Sequence, residues 1–83
     1  MLTTRQIVAE QLAAYLADQL SLEALVDWSE QQVMEGDFES PTVRDAVARL
    51  GVADVRAFGL TWEDCQRLLH SLGYAARVEI ASN

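Results

Sequence analysis

The stretch SPTVRDAVARLG, residues 40–51, carries the signals of a complete helix with its start, its buried face and its end. Ser40 is a typical capping residue, and Pro41 suits the first helical position, where a proline loses no hydrogen bond. Apolar side chains then recur at helical spacing, at Val43, Ala46, Val47 and Leu50. Gly51 is expected to end the helix, with Val52 folding back on Val47 as in a Schellman motif.

Two helices are predicted before this stretch. Thr3 and Gln6 have the spacing of a capping box, which opens a first helix. The apolar stripe of this helix is Val8, Leu12, Tyr15, Leu16 and Leu20. Ser21 caps a second helix that Gly36 ends. The inward-facing residues of the second helix are Leu22, Leu25, Val26 and Val33, with Trp28 and Met34 on its flank.

A short turn and a fourth helix follow. Residues 53–58 resemble one helical turn, in which Val55 and Phe58 are expected to be buried. Thr61 caps the last helix, and Asp64 completes a capping box. The stripe of the last helix is Cys65, Leu68, Leu69 and Leu72. The sequence therefore predicts a mostly α-helical protein, a compact bundle of about four helices in one domain of residues 1–83.

In the last part of the chain, every second residue on one side is apolar, which differs from the helical spacing of the earlier segments. Tyr74, Ala76, Val78 and Ile80 fall on one side of an extended chain, which predicts a short C-terminal β-strand over residues 74–80. No second alternating run exists to pair with this strand. Three arrangements remain: pairing with its twin in a homodimer, pairing with a different protein, or no strand at all.

The formal charge of −7 lies entirely in the first half of the chain. Residues 1–39 hold eight acidic residues and one arginine, whereas residues 40–83 hold five acidic residues and five arginines. Such a distribution repels nucleic acid and anionic membranes and attracts basic proteins. The alternative is that the surplus negative charge serves only solubility.

Several features predict a cytoplasmic location. The single cysteine excludes an internal disulfide, which suits a reducing compartment. The N-terminus has no apolar run of the kind found in signal peptides, and no stretch approaches the ~18 apolar residues of a membrane span.

No catalytic or cofactor motif is recognisable. Cys65 and His70 are the one cysteine and the one histidine, and five residues on a helix separate them onto partly different faces. A zinc site needs about four ligands at suitable spacing. The chain has neither a glycine-rich phosphate loop nor a calcium-binding loop. We therefore expect no enzymatic activity, no cofactor and no metal.

The candidate partner-binding residues lie on the second helix. Glu23, Asp27 and Glu30 are spaced i, i+4 and i+7, so they share a helix face, and no basic residue lies among them. Trp28 lies between the acidic and apolar faces, where an aromatic side chain can anchor an interface. This pattern favours a contact surface for a basic protein. It is equally typical of a solvated helix face.

Two local similarities to known motifs are outweighed by differences. Residues 47–60 are similar to the middle of a helix-turn-helix, but the second helix there is short and the arginines are balanced by aspartates, so DNA binding is not expected. Ser21 and Glu23 resemble the modified serine of acyl carrier proteins and the acidic helix that it opens. However, Leu20 stands where those proteins have an aspartate, and Ser21 is better explained as an N-cap.

The pattern IVAEQLAAYLADQLSLEALVDWSEQQV, residues 7–33, resembles the opening of colicin-D-type immunity proteins. These begin with an amphipathic helix, a short Ser/Thr-capped break and a second helix. The resemblance implies a small acidic helical inhibitor that blocks a basic ribonuclease toxin.

Together these features predict a non-enzymatic protein-binding module, such as an immunity-like or antitoxin-like inhibitor of a basic partner. The alternative is a self-associating structural or regulatory domain that dimerises through its C-terminal strand.

Deleting residues 75–83 tests the alternative. If the strand pairs with its twin, the full chain is a dimer and the truncated chain a monomer, as measured by light scattering after size exclusion. A monomer both before and after deletion contradicts the strand-paired dimer.

Overall fold

The computed structural model describes residues 2–74 of the 83-residue chain. This range contains four α-helices: α1 (Arg5–Leu16), α2 (Leu22–Glu35), α3 (Pro41–Leu50) and α4 (Trp62–Ser71). The prediction of a mostly helical fold with about four helices is confirmed. Tyr74 belongs to no regular element, and the rest of the predicted C-terminal strand lies outside the described residues.

Three of the four predicted helix caps are present. The side-chain oxygens of Ser21, Ser40 and Thr61 each accept a hydrogen bond from the backbone N–H three residues ahead, at 3.1, 3.3 and 3.1 Å. The capping box predicted from Thr3 and Gln6 is wrong. Thr4 caps α1 instead, and its Oγ1 accepts from the Ile7 N–H at 3.2 Å.

Thr3 has other partners, which explains why it does not cap α1. Its backbone forms a parallel bridge with Phe38, in which the Thr3 N–H donates to the Asp37 carbonyl at 2.8 Å and the Glu39 N–H donates to the Thr3 carbonyl at 2.9 Å. Its buried hydroxyl donates to Gln32 Oε1 at 2.7 Å. The segment before α1 is thereby held against both α2 and the connection between α2 and α3.

One hydrophobic core draws on all four helices. α3 contributes more apolar side chains to the core than any other helix, and all four positions of its predicted stripe are buried. The buried core residues are Val8, Leu12, Leu25, Val43, Ala46, Val47, Leu50, Cys65 and Leu72. Tyr15, Leu16, Leu68 and Leu69 pack partly buried against them. The helical periodicity therefore identified the core, with α3 at its centre.

The end of α3 differs from the prediction. Gly51 has φ −65°, a right-handed conformation, so the Schellman motif with Val52 is wrong. The chain continues through turns over residues 51–58, where one helical turn is predicted for residues 53–58. Gly59, at φ +62°, makes the sharp change of direction for which glycine is suited.

Side-chain burial in the segment between α3 and α4 also differs from the prediction. Val55 and Phe58 are 44% and 55% exposed instead of buried, while Ala53 is buried. The Phe58 ring lies 5.7 Å from the Arg49 guanidinium, which covers part of the ring. Phe58 therefore packs against a charged side chain at the surface rather than in the core.

Asp64 connects α3 to the start of α4. Its carboxylate completes the predicted capping box by accepting from the Thr61 N–H at 3.0 Å, and it also accepts from Arg49 at 3.3 Å and Arg67 at 3.0 Å. The hydrogen bond from the Thr61 backbone is the main cause that lowers the pKa of Asp64, with both arginines acting in the same direction. Asp64 therefore fixes where α4 begins relative to α3.

The Thr3–Gln32 hydrogen bond should be essential for holding the N-terminal segment against α2. Thr3→Val keeps the side-chain shape but leaves Gln32 Oε1 buried without its donor, which should lower the free energy of unfolding by about 1–3 kcal/mol. Chemical denaturation measures this change.

The matched control is Thr42→Val, at an exposed threonine on α3, which should change stability by no more than about 0.5 kcal/mol. Adding Gln32→Leu to Thr3→Val should recover part of the loss, because the unpaired oxygen is then removed. Equal losses for the Thr3 and Thr42 variants would contradict the structural role of this bond.

Candidate functional site

α2 presents an acidic face, formed by Glu23, Asp27 and Glu30. All three residues are exposed. At 3.6 residues per turn they fall within roughly 60° around the helix and extend over about 10 Å along its axis. The structure therefore brings together the three acids that the sequence spacing grouped.

Three of the five arginines in the second half of the chain pair with acids outside the acidic face. Within residues 2–74, ion pairs join Arg44 to Asp45 and join both Arg49 and Arg67 to Asp64, and none of these pairs involves Glu23, Asp27 or Glu30. α3 packs against α2, yet its basic side chains leave the acidic face without a neutralising partner in this part of the chain.

The acidic face has opposing effects on the helix that carries it. Ser21 caps α2, and Glu23 in the first turn interacts favourably with the positive end of the helix dipole. Glu23 and Asp27, four residues apart, repel each other by a few tenths of a kcal/mol. The local sequence therefore does not require three acids on this face for helix stability.

Trp28 lies on a different side of α2. It is half-buried and packs against the hydrophobic core. It is rotated by about 100° from Asp27 around the helix axis. The structure thus places Trp28 at one border of the core and does not bring its ring onto the acidic face.

A groove between α2 and α3 lies at the end of the acidic face nearest Glu30. It has a volume of about 360 Å³ and is lined by Glu30, Val33, Met34, Ala48, Gly51 and Val52; we call it the α2–α3 groove. Val33, predicted to face inward, is 48% exposed, and Met34 is 86% exposed. The groove combines exposed apolar side chains with a carboxylate of the acidic face.

Sequence reasoning missed this groove, although one signal for it was present. Met34 follows Glu30 by four residues and so continues the direction of the acidic face along α2. The missing side chain of Gly51 leaves the space on the α3 side. That contribution comes from a residue 21 positions further along the chain than Glu30, so it depends on how the helices pack.

Cys65 and His70 are separated by the fold. Cys65 is fully buried in the core, whereas His70 is exposed. Burial is the main cause that raises the pKa of the Cys65 thiol from its usual 9.0 to about 11, and the nearby Asp64 carboxylate acts in the same direction. A thiol that stays protonated is a poor nucleophile and a poor metal ligand. Within residues 2–74 no group of three or more His, Cys, Asp or Glu side chains is placed to hold a metal ion.

We find no matching family model, no similar curated protein and no similar solved structure for this chain. Among the helices of residues 2–74, none is both long enough and apolar enough to cross a lipid bilayer.

The buried thiol predicts a pH dependence of stability. Because the folded-state pKa of Cys65 is raised to about 11, the unfolded chain loses this proton first as the pH rises above 9. The stabilising contribution is complete below pH 9 and is lost towards pH 11, at roughly 1.4 kcal/mol per pH unit. Denaturant unfolding at a series of pH values measures this loss.

Cys65→Ala is the reference protein. Every other titrating group is present in both proteins, so the difference between their stability curves reports the thiol alone. The wild type should lose stability more steeply than this variant at alkaline pH, and a thiol reagent at pH 8 should modify the native protein far more slowly than the unfolded chain. Parallel stability curves together with rapid native labelling would contradict the buried, protonated thiol.

Proposed function

We propose that this chain is a non-enzymatic protein-binding module that binds a basic partner protein through the acidic face of α2. One observation carries the proposal. Glu23, Asp27 and Glu30 are exposed together on one face of a capped helix, and within residues 2–74 the recorded arginine ion pairs involve other acids.

Electrostatics favour a basic protein as the partner. The net charge of −7 is concentrated in the segment that contains this face, so the field there attracts cationic surfaces and accelerates their association. The same field opposes nucleic acid and anionic lipid. The acidic face spans about 10 Å, close to the Debye length at physiological salt, so its charges act together on a partner at contact.

The most concrete form of the proposal is an inhibitor of a basic enzyme in the cytoplasm, in the manner of an immunity protein or antitoxin. Its support is the resemblance of residues 7–33 to colicin-D-type immunity proteins. The order of an amphipathic helix, a short break and a Ser-capped second helix corresponds here to α1, residues 17–21 and α2.

The proposal assigns the protein no catalytic role and no cofactor. Its support is that the one cysteine is buried and protonated while the one histidine is exposed, so the two do not form a nucleophile–base pair in a shared cleft. The chain would then act by covering the functional surface of its partner.

Removing the charges of the acidic face should weaken partner capture. A variant carrying Glu23→Gln, Asp27→Asn and Glu30→Gln should bind its partner about tenfold more weakly at low salt, since exposed charge pairs contribute about 0.2–1 kcal/mol each. The immobilised protein is exposed to an extract of its source organism, and the captured basic protein is identified by mass spectrometry and then titrated in purified form.

The matched control carries Asp45→Asn, Asp54→Asn and Glu63→Gln, which also removes three exposed acidic charges but leaves the acidic face intact. It should capture the partner nearly as well as the wild type. Added salt should weaken wild-type binding more steeply than binding by the acidic-face variant. Equal capture by both variants would show that total charge, rather than this face, governs binding.

A further inference from the structure

We propose that the α2–α3 groove receives apolar side chains from a basic amphipathic helix of the partner. This inference rests on the proposed function, because it specifies the chemistry of the partner that the acidic face attracts. It adds a second contact with a different physical basis, and the two contacts are separable by mutation.

The first support is the apolar lining. Val33 and Met34 on α2, Ala48 on α3 and Val52 just after α3 line a volume of about 360 Å³. Exposed apolar surface gains free energy when a partner covers it. Met34 has a flexible thioether side chain of the kind that adapts to different apolar partners at binding surfaces.

The second support is charge complementarity on one continuous surface. Glu30 is the one charged residue among the described residues that line the groove, and Asp27 and Glu23 continue from it along α2. A helix that places a leucine in the groove and lies along α2 would bring lysines or arginines over the acidic face, one to two helical turns away. An apolar stripe flanked by basic residues therefore fits both features, as in other helix-in-groove complexes.

The same arrangement disfavours a second copy of this chain as the occupant. Two grooves brought face to face would bring the Glu30 carboxylates of both copies into one apolar contact. Like charges at an interface oppose association.

A substitution at Gly51 can test directly whether the partner occupies the α2–α3 groove. Its φ of −65° is accessible to every residue, and a Cβ at this position would lie no closer than 3.5 Å to its neighbours, with Glu30 Cγ at 3.9 Å. Gly51→Leu should therefore fold normally and fill the groove with its side chain. Met34→Ser is the independent second variant, since it removes apolar surface from a side chain that contributes little to the core.

The experiment uses two synthetic peptides of about 18 residues, long enough for roughly five helical turns. The patterned peptide has leucines at i, i+3, i+4 and i+7 and lysines on both sides of this stripe. The shuffled peptide has the same composition and charge with the leucines distributed around the helix. Binding to the full chain is measured by two-dimensional NMR of the isotope-labelled protein.

The patterned peptide should bind at least about tenfold more tightly than the shuffled peptide and should shift the amide signals of Met34, Ala48 and Val52. Gly51→Leu and Met34→Ser should each weaken its binding several-fold. Val55→Ser, at another exposed apolar residue, should leave its affinity unchanged within about twofold.

The possible failures are distinguishable. If charge removal on the acidic face weakens binding but the groove variants do not, or if the two peptides bind equally, the groove inference is overturned and the proposed function stands. If the groove variants weaken binding and charge removal does not, the groove is a docking site and the proposed acidic-face function is contradicted. Binding of neither peptide, or concentration-dependent broadening of the groove signals in the absence of peptide, overturns the inference.

Discussion

The packing of α3 into the hydrophobic core is the constraint on which the rest of this structure depends. Val43, Ala46, Val47 and Leu50 are all buried, and the core side chains of α1, α2 and α4 gather around them. A chain of 83 residues buries only about 60% of its unfolded surface, so each buried side chain matters for stability. Full burial of a valine or leucine contributes roughly 1.5–3 kcal/mol. α3 is held in place at one end by its Ser40 cap and at the other by the Arg49–Asp64 pair.

The orientation of α2 follows from the same packing. Its buried side comprises Leu25, Val26, Ser29 and Gln32. The two polar members are satisfied, because Ser29 donates to the Leu25 carbonyl and Gln32 accepts from Thr3. With this side fixed inward, the acidic face must point outward. The proposed binding surface is therefore carried by a helix whose rotation the core determines, which limits the entropy lost when a partner binds.

Most of the fold could be predicted from the sequence, and the failures have a common cause. Caps at Ser21, Ser40 and Thr61 and the buried stripe of α3 were correctly identified, because each depends on residues within one or two helical turns. Thr3 was assigned the wrong role because its hydroxyl bonds to Gln32, 29 residues away. Phe58 was expected in the core, but its ring packs against Arg49, which Asp64 in turn holds.

The same distinction between local and long-range contacts applies to the candidate site. Sequence by itself determined that Glu23, Asp27 and Glu30 share a helix face, because helical periodicity fixes the relative directions of residues three and four apart. The same periodicity separates Trp28 from Asp27 by about 100° around the helix. Only the tertiary structure decided that Trp28 packs against the core and that a groove opens beside Glu30. Gly51, from a different segment, lines the groove beside Glu30, and contacts between residues so distant in the chain are set by how the helices pack rather than by local pattern.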